Sequence, residues 1–142
     1  MRRVVIFAAC AAALFGSAHA QSSAVAPHPA DLIKQPGFKE SWTLAMKGEK
    51  FERRDSWVPA LSGPGSGDFW IDPAGKQWLE GNSCQPHNCG DNHLVILADP
   101  VTRKIVAMQR TRGETPASQR FFGKPDANLR KLLLARLMAT FH

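Results

Sequence analysis

Residues 94–110 read LVILADPVTRKIVAMQR. Leu94 to Ala98 form an unbroken apolar run of strand length, which suggests a strand buried on both faces. Asp99-Pro100-Val101-Thr102 carries turn chemistry, and Lys104 to Arg110 then returns as an antiparallel hairpin partner. Working upstream, Phe69-Trp70-Ile71 reads as another strand and Asp72-Pro73-Ala74-Gly75 as a turn. Ser56-Trp57-Val58 reads as a short strand, and Leu61 to Asp68 (LSGPGSGD) as a loop by composition. A further strand includes Phe121 and Phe122. Helix signals lie at both ends. From Asp31 to Lys50 the pattern is helical, with Asp31 as a first cap and Pro36-Gly37 as a break; Phe38, Trp42, Ala45 and Met46 then form a core-facing stripe. Pro125-Asp126 supplies a break and an N-cap, after which Leu129, Leu132, Leu133, Leu137 and Phe141 share one side of a helix. The order helix, strands, helix predicts an α+β domain: a central antiparallel sheet with helices packed on one face. Trp42, Trp57, Trp70 and Trp78 are read as core fillers in preference to a sugar-stacking platform, with Trp78 the least committed to burial.

The first twenty residues, MRRVVIFAACAAALFGSAHA, have a positive start at Arg2 and Arg3, an apolar run from Val4 to Phe15, and small residues at Ala18 and Ala20. This is the anatomy of a secretory signal peptide cleaved before Gln21. The apolar run falls short of the ~20 residues a membrane span requires, and a lipid anchor on Cys10 would leave a very short apolar region. Residues 21–30 (QSSAVAPHPA) read as a flexible leader with a solvated His28, and 31–142 as a single domain. The expected product is exported to the periplasm and free of the membrane after cleavage.

Export bears on residues 84–89, CQPHNC. With Cys10 removed, Cys84 and Cys89 remain as an even pair in an oxidising compartment, which argues for one disulfide. Two other uses are weighed. Cys84, His87, Cys89 and His93 are four possible zinc ligands, although their spacing fits no common zinc motif. A redox-active dithiol would ordinarily have two residues between its cysteines, not four. No metal or cofactor is assigned. The loop is flanked by the turn formers Gly81-Asn82-Ser83 and Gly90-Asp91-Asn92, and Pro86 fixes one backbone dihedral within it. His87 is therefore expected on a stiff, protruding loop, either as a plain surface histidine or as a recognition residue that costs little to order on binding. Ser83, Asp91 and His93 lie nearby in sequence, but no nucleophile motif or paired-carboxylate pattern accompanies them, so no catalytic residue is assigned.

The chain carries a formal charge of +6. Its distribution is uneven. Residues 68–99 hold Asp68, Asp72, Glu80, Asp91 and Asp99 against Lys76, a net of −4, while residues 100–142 hold nine Lys or Arg against Glu114 and Asp126, a net of +7. No nucleic-acid motif accompanies the basic half.

An exported α+β chain with a Cys-x-Pro-His-x-Cys loop resembles the Ivy family, inhibitors of vertebrate lysozyme. The family's usual loop is Cys-Lys-Pro-His-Asp-Cys; here it is Cys84-Gln85-Pro86-His87-Asn88-Cys89. The resemblance implies a periplasmic inhibitor of C-type lysozyme, typically a homodimer, that inserts this loop into the enzyme's cleft with His87 meeting the catalytic carboxyl pair. That chemistry is coherent, because a retaining glycosidase holds its two carboxyls only ~5 Å apart and one imidazole has a nitrogen for each. The acidic segment around the loop would favour a basic enzyme. Gln85 and Asn88 replace two charged residues of the family loop, so restoring Lys and Asp is expected to improve binding. Alternatives are a modulator of endogenous lytic transglycosylases and a small metal-binding protein built on Cys84, His87, Cys89 and His93.

Overall fold

The computed structural model describes residues 25–112 and 118–140. The signal-peptide reading, residues 21–24 of the leader, and Phe141 lie outside the described residues. Five strands form one antiparallel sheet in sequence order: β1 (Gly65–Ile71), β2 (Gln77–Cys84), β3 (Asn92–Ala98), β4 (Ile105–Thr111) and β5 (Ser118–Phe122). Helices α1 (Pro29–Leu32) and α2 (Phe38–Met46) precede the sheet, and α3 (Ala127–Thr140) follows it.

The run Leu94 to Ala98 is the middle of this sheet, and every residue of β3 is buried. Its register with β4 sets Leu94 opposite Gln109, Ile96 opposite Ala107 and Ala98 opposite Ile105. Because side chains alternate along a strand, Leu94, Ile96 and Ala98 face one way and Val95 and Leu97 the other. The first set packs with Leu32, Phe38, Trp42 and Trp57. The second packs with Trp78, Val106, Met108, Leu133 and Leu137. A slip of one residue would exchange the two sets, so two filled cores hold the register.

The α+β class and the antiparallel sheet follow the sequence reading, but the helices are not confined to one face. The N-terminal helices cover one face and α3 covers the other. An antiparallel sheet with one wet face would show polar alternation in its middle strands. β3 has none, so both faces need a cover. Ser41 Oγ accepts from Ile105 N at 2.8 Å, tying α2 to β4. On the other face, Arg136 Nε donates to the buried Glu80 carboxylate at 2.7 Å, tying α3 to β2. Trp42, Trp57 and Trp78 are buried, while Trp70 is half-buried beneath the Arg136 guanidinium.

Several local expectations are corrected. Ser56-Trp57-Val58 is not a strand. It follows a 3-10 turn (Arg53–Asp55) and continues in tight turns, with Val58 N donating to Asp55 O and Leu61 N to Val58 O. Asp55 is drawn inward by Gln109 Nε2, which donates to it at 2.7 Å, and Trp57 and Val58 follow it into the core. Residues 65–68, read as loop from their glycines, are the first half of β1. A side chain at Gly67 would overlap the Pro27 carbonyl, so here glycine admits a backbone approach instead of a turn. Gly81-Asn82-Ser83 lies within β2, and a Cβ at Gly81 would crowd the Pro29 ring. Residues 25–30 are likewise not leader throughout. His28, not Asp31, caps α1, its Nδ1 accepting from Ala30 N at 3.1 Å, and Pro29 is buried. Asp126 caps α3 as expected, accepting from Leu129 N at 2.8 Å.

Candidate functional site

The loop that closes the β2–β3 hairpin carries the candidate site. The ladder's last rung pairs Cys84 with His93, and Gln85 N donates to Asn92 O at 3.0 Å just beyond it. Cys84 and Cys89 are joined in a disulfide, with Cα atoms 4.9 Å apart. Cys84 is buried in the sheet and Cys89 is exposed. Behind the loop, Cys84 N donates to Pro64 O at 3.0 Å, and Gly63 lies so close to the Cys84 carbonyl that any Cβ there would overlap it. The base of the loop is thus braced by the segment leading into β1.

The tip is a β-turn. Asn88 N donates to Gln85 O at 3.0 Å, with Pro86 and His87 at the two central positions. Proline presets the first central dihedral, and the second takes a positive φ, 64° at His87. Glycine or asparagine is the usual residue there, so a histidine accepts backbone strain to occupy the apex. Its side chain is exposed and makes no hydrogen bond with any described residue.

Gln85 and Asn88 are turned toward the loop's own interior. Gln85 Oε1 accepts from Asn88 Nδ2 at 3.1 Å and from Asn92 Nδ2 at 2.5 Å. Asn92 Oδ1 in turn accepts from Thr111 Oγ1 at 2.6 Å. The neutral pair at positions 85 and 88 thereby closes the turn by an amide–amide bond.

The other candidate residues are not brought together for chemistry. Ser83 pairs with Leu94 in the ladder, one position away from the Cys84–His93 rung, so its side chain points to the opposite face from His93. His93 is buried, with Nε2 3.3 Å from Gly90 O. Burial holds its imidazole below the ordinary histidine range; the Gly90 carbonyl opposes that shift, and the Arg112 and Arg110 charges add to it. Asp91 is exposed on the descending limb. The cysteine sulfurs are bonded to each other and offer no thiolate to a metal. Among the described residues no group of three His, Cys, Asp or Glu is arranged to hold one.

Electrostatics also differ from the sequence tally. Of the five acidic residues between 68 and 99, Asp72, Glu80 and Asp99 are buried. Asp72 accepts from Trp78 Nε1 at 3.0 Å and from the Lys76 and Ala74 amides, which together hold its carboxyl below the usual range despite burial. Asp99 serves its own hairpin turn, accepting from Val101 N, Thr102 N and Lys76 Nζ. Burial alone would raise its pKa, but these bonds outweigh that and hold it well below the carboxylate range. Of the five, only Asp68 and Asp91 remain exposed, and the Arg110 and Arg112 charges act beside Asp91 on His93 at the loop's base.

Reading the sequence missed the brace at Gly63 and Pro64 and the polar contacts of Asn92 and Thr111. No local pattern signals them, since Thr111 lies 19 residues from Asn92 and is brought to it only by the β3–β4 register.

Known proteins resemble this chain over the range that carries the sheet and its loop. A family model described as Inhibitor of vertebrate lysozyme (Ivy) matches residues 37–132, a range that contains all five strands and the loop. The chain is 30% identical over 121 residues to the Inhibitor of vertebrate lysozyme of Pseudomonas aeruginosa, covering 78% of each protein. It is 25% identical over 123 residues to an uncharacterized protein of Yersinia pestis, covering 78% of this chain and 77% of the relative. A second Pseudomonas aeruginosa protein, also uncharacterized, is 25% identical over 112 residues. The family is one of inhibitors, not of enzymes, and with the matched range spanning the sheet and its disulfide-closed loop, this chain belongs to the Ivy family.

Proposed function

We propose that this protein inhibits a C-type lysozyme in the periplasm by inserting the Cys84–Cys89 loop into the enzyme's active-site cleft, with His87 leading. The observation that carries the reading is the apex of the loop. An exposed imidazole with no hydrogen bond to a described residue is held on a turn closed both covalently and by hydrogen bonds, in a chain of the Ivy family. A loop whose backbone is already ordered before binding surrenders little entropy on contact. Its two ring nitrogens suit a carboxyl pair ~5 Å apart, one nitrogen to each group. Such a plug blocks the cleft by occupancy and by satisfying the two groups that would otherwise act on the sugar.

Contact is driven by shape and by His87 more than by long-range charge. Three of the five acidic residues in the 68–99 segment are buried, and the Arg110 and Arg112 charges lie beside His93 at the loop's base, so the surface that meets a basic enzyme has little acidic excess. Periplasmic location rests on the signal-peptide pattern of residues 1–20. Homodimer formation belongs to the same reading by family resemblance and is tested by light scattering on the purified mature protein. The test of function is the turbidity decay of a cell-wall suspension with C-type lysozyme, with and without the mature protein. Slowed lysis by the native protein, with little slowing by His87→Ala, is the expected result. Undiminished lysis at a molar excess of native protein would reject the proposal.

A further inference from the structure

We propose that Asn92 is a positioning residue for the loop, clamping it to β4 by a route independent of the disulfide. This rests on the reading of the loop as the lysozyme contact. Asn92 is the first residue of β3 and is 2% exposed. Every polar group it carries is directed to the loop or to the neighbouring strand. Nδ2 donates to Gln85 Oε1 at 2.5 Å, and Oδ1 accepts from Thr111 Oγ1 at 2.6 Å. Its backbone N donates to Asn88 O at 3.2 Å, and its carbonyl accepts from Gln85 N at 3.0 Å. Gln85 Oε1 also holds the Asn88 amide. A single buried residue therefore joins the ascending limb of the loop and strand β4 by its side chain and the turn by its backbone.

The geometry gives the loop two closures. The covalent one joins Cys84 to Cys89. The polar one joins Gln85, Asn88, Asn92 and Thr111. Both favour the same conformation, so each stabilises the other. A buried amide with several satisfied bonds is costly to remove, because the Thr111 hydroxyl is left buried without its acceptor and Gln85 Oε1 keeps only the Asn88 donor. Thermodynamic reciprocity then applies: if the clasp favours the geometry in which the disulfide forms, the disulfide favours the clasp by the same factor.

The experiment uses the mature protein and two measurements. The first is the equilibrium of the disulfide with glutathione, which involves no lysozyme. Asn92→Ala is expected to make the bond about tenfold easier to open, the effect of roughly one lost hydrogen bond at a buried neutral site, and so to raise the reduction potential by about 30 mV. Gln85→Ala is expected to act in the same direction. It is half-exposed and leaves the Asn92–Thr111 bond in place, so it decides the matter if Asn92→Ala fails to fold. The second measurement is affinity for C-type lysozyme in four proteins: native, Gln85→Ala, Cys84→Ser with Cys89→Ser, and the three changes combined. Because either closure backs up the other, the combined loss should exceed the product of the separate losses. An unchanged glutathione equilibrium in Gln85→Ala overturns the clasp, whatever lysozyme does. A shifted equilibrium with affinity losses that merely multiply overturns the positioning role. Should His87→Ala bind lysozyme as well as native protein, the loop reading itself fails and the positioning role falls with it, while the glutathione equilibrium still reports the clasp separately.

Discussion

Replacing His87 separates recognition from folding. The residue is exposed at the apex of its turn with φ of 64° and no side-chain hydrogen bond to a described residue. His87→Ala therefore removes no packing, and alanine meets the same left-handed backbone cost, about 1–2 kcal/mol for a non-glycine residue. The folded state should be unchanged within ~0.5 kcal/mol, as for other surface substitutions. His87→Gly relieves the backbone cost but gives the unfolded chain more freedom, about 0.5–1 kcal/mol, so it should be neutral to slightly stabilising. Binding should respond very differently. A central interface residue whose truncation leaves buried partner groups unpaired costs about 2–4 kcal/mol, or roughly 30- to 1,000-fold in affinity. The assay pairs an inhibition constant from the turbidity measurement with the midpoint of thermal unfolding, for native, Ala and Gly proteins. The reasoning is refuted if both variants inhibit like native protein. It is equally refuted if inhibition falls only in step with the unfolding midpoint, since His87 would then be holding the loop together instead of meeting a partner.

Opening the disulfide by Cys84→Ser with Cys89→Ser should lower stability by about 2 kcal/mol at most in the chain-entropy model, since only five positions separate the cysteines; urea unfolding checks it, and failure to fold would contradict the loop's peripheral place. Asp55→Ala should cost about 1–3 kcal/mol by leaving the buried Gln109 amide without its acceptor, read as a lower urea midpoint with an unchanged slope. His93 supplies a pH dependence. Its folded pKa is depressed by burial, so below ~6.5, the ordinary value, the unfolded chain binds a proton that the folded chain resists. Stability from this group is complete above ~6.5 and is lost as pH falls below it; unfolding midpoints from pH 8 to 5 should fall more steeply for native protein than for His93→Gln. Restoring the family's charges by Gln85→Lys with Asn88→Asp should bring no gain in affinity at low salt, contrary to the expectation from sequence, because Gln85 Oε1 is already the acceptor for Asn88 and Asn92; tighter binding in a paired titration would show that the charges outweigh the clasp.

Features written in contiguous residues were legible without a fold. Leu94 to Ala98 announces a central strand because five successive apolar side chains leave neither face for water. Phe38, Trp42 and Ala45 announce a buried helix stripe by their spacing. Asp126 announces a cap, and the pair Cys84 and Cys89 with Pro86 and His87 between them announces a stiff loop. These depend on local geometry, which a short stretch of chain specifies by itself. What depended on distant partners was decided only by the tertiary structure. Glycines at 65, 67 and 81 read as loop or turn but lie in strands, because another segment passes too close for a side chain, as at Gly67 and Pro27. Ser56-Trp57-Val58 reads as a strand but is coiled inward beside Asp55, whose partner Gln109 is 54 residues away. The acidic count around the loop predicts an acidic surface, yet folding buries Asp72, Glu80 and Asp99 in turns and pairs. The loop's sequence names His87 as its tip, while the register of β3 against β4 sets Asn92 beside Thr111 and so decides how firmly that tip is held. Charge exposure and hydrogen-bond partnership are properties of which segments meet, and the meeting is set by filling two cores at once.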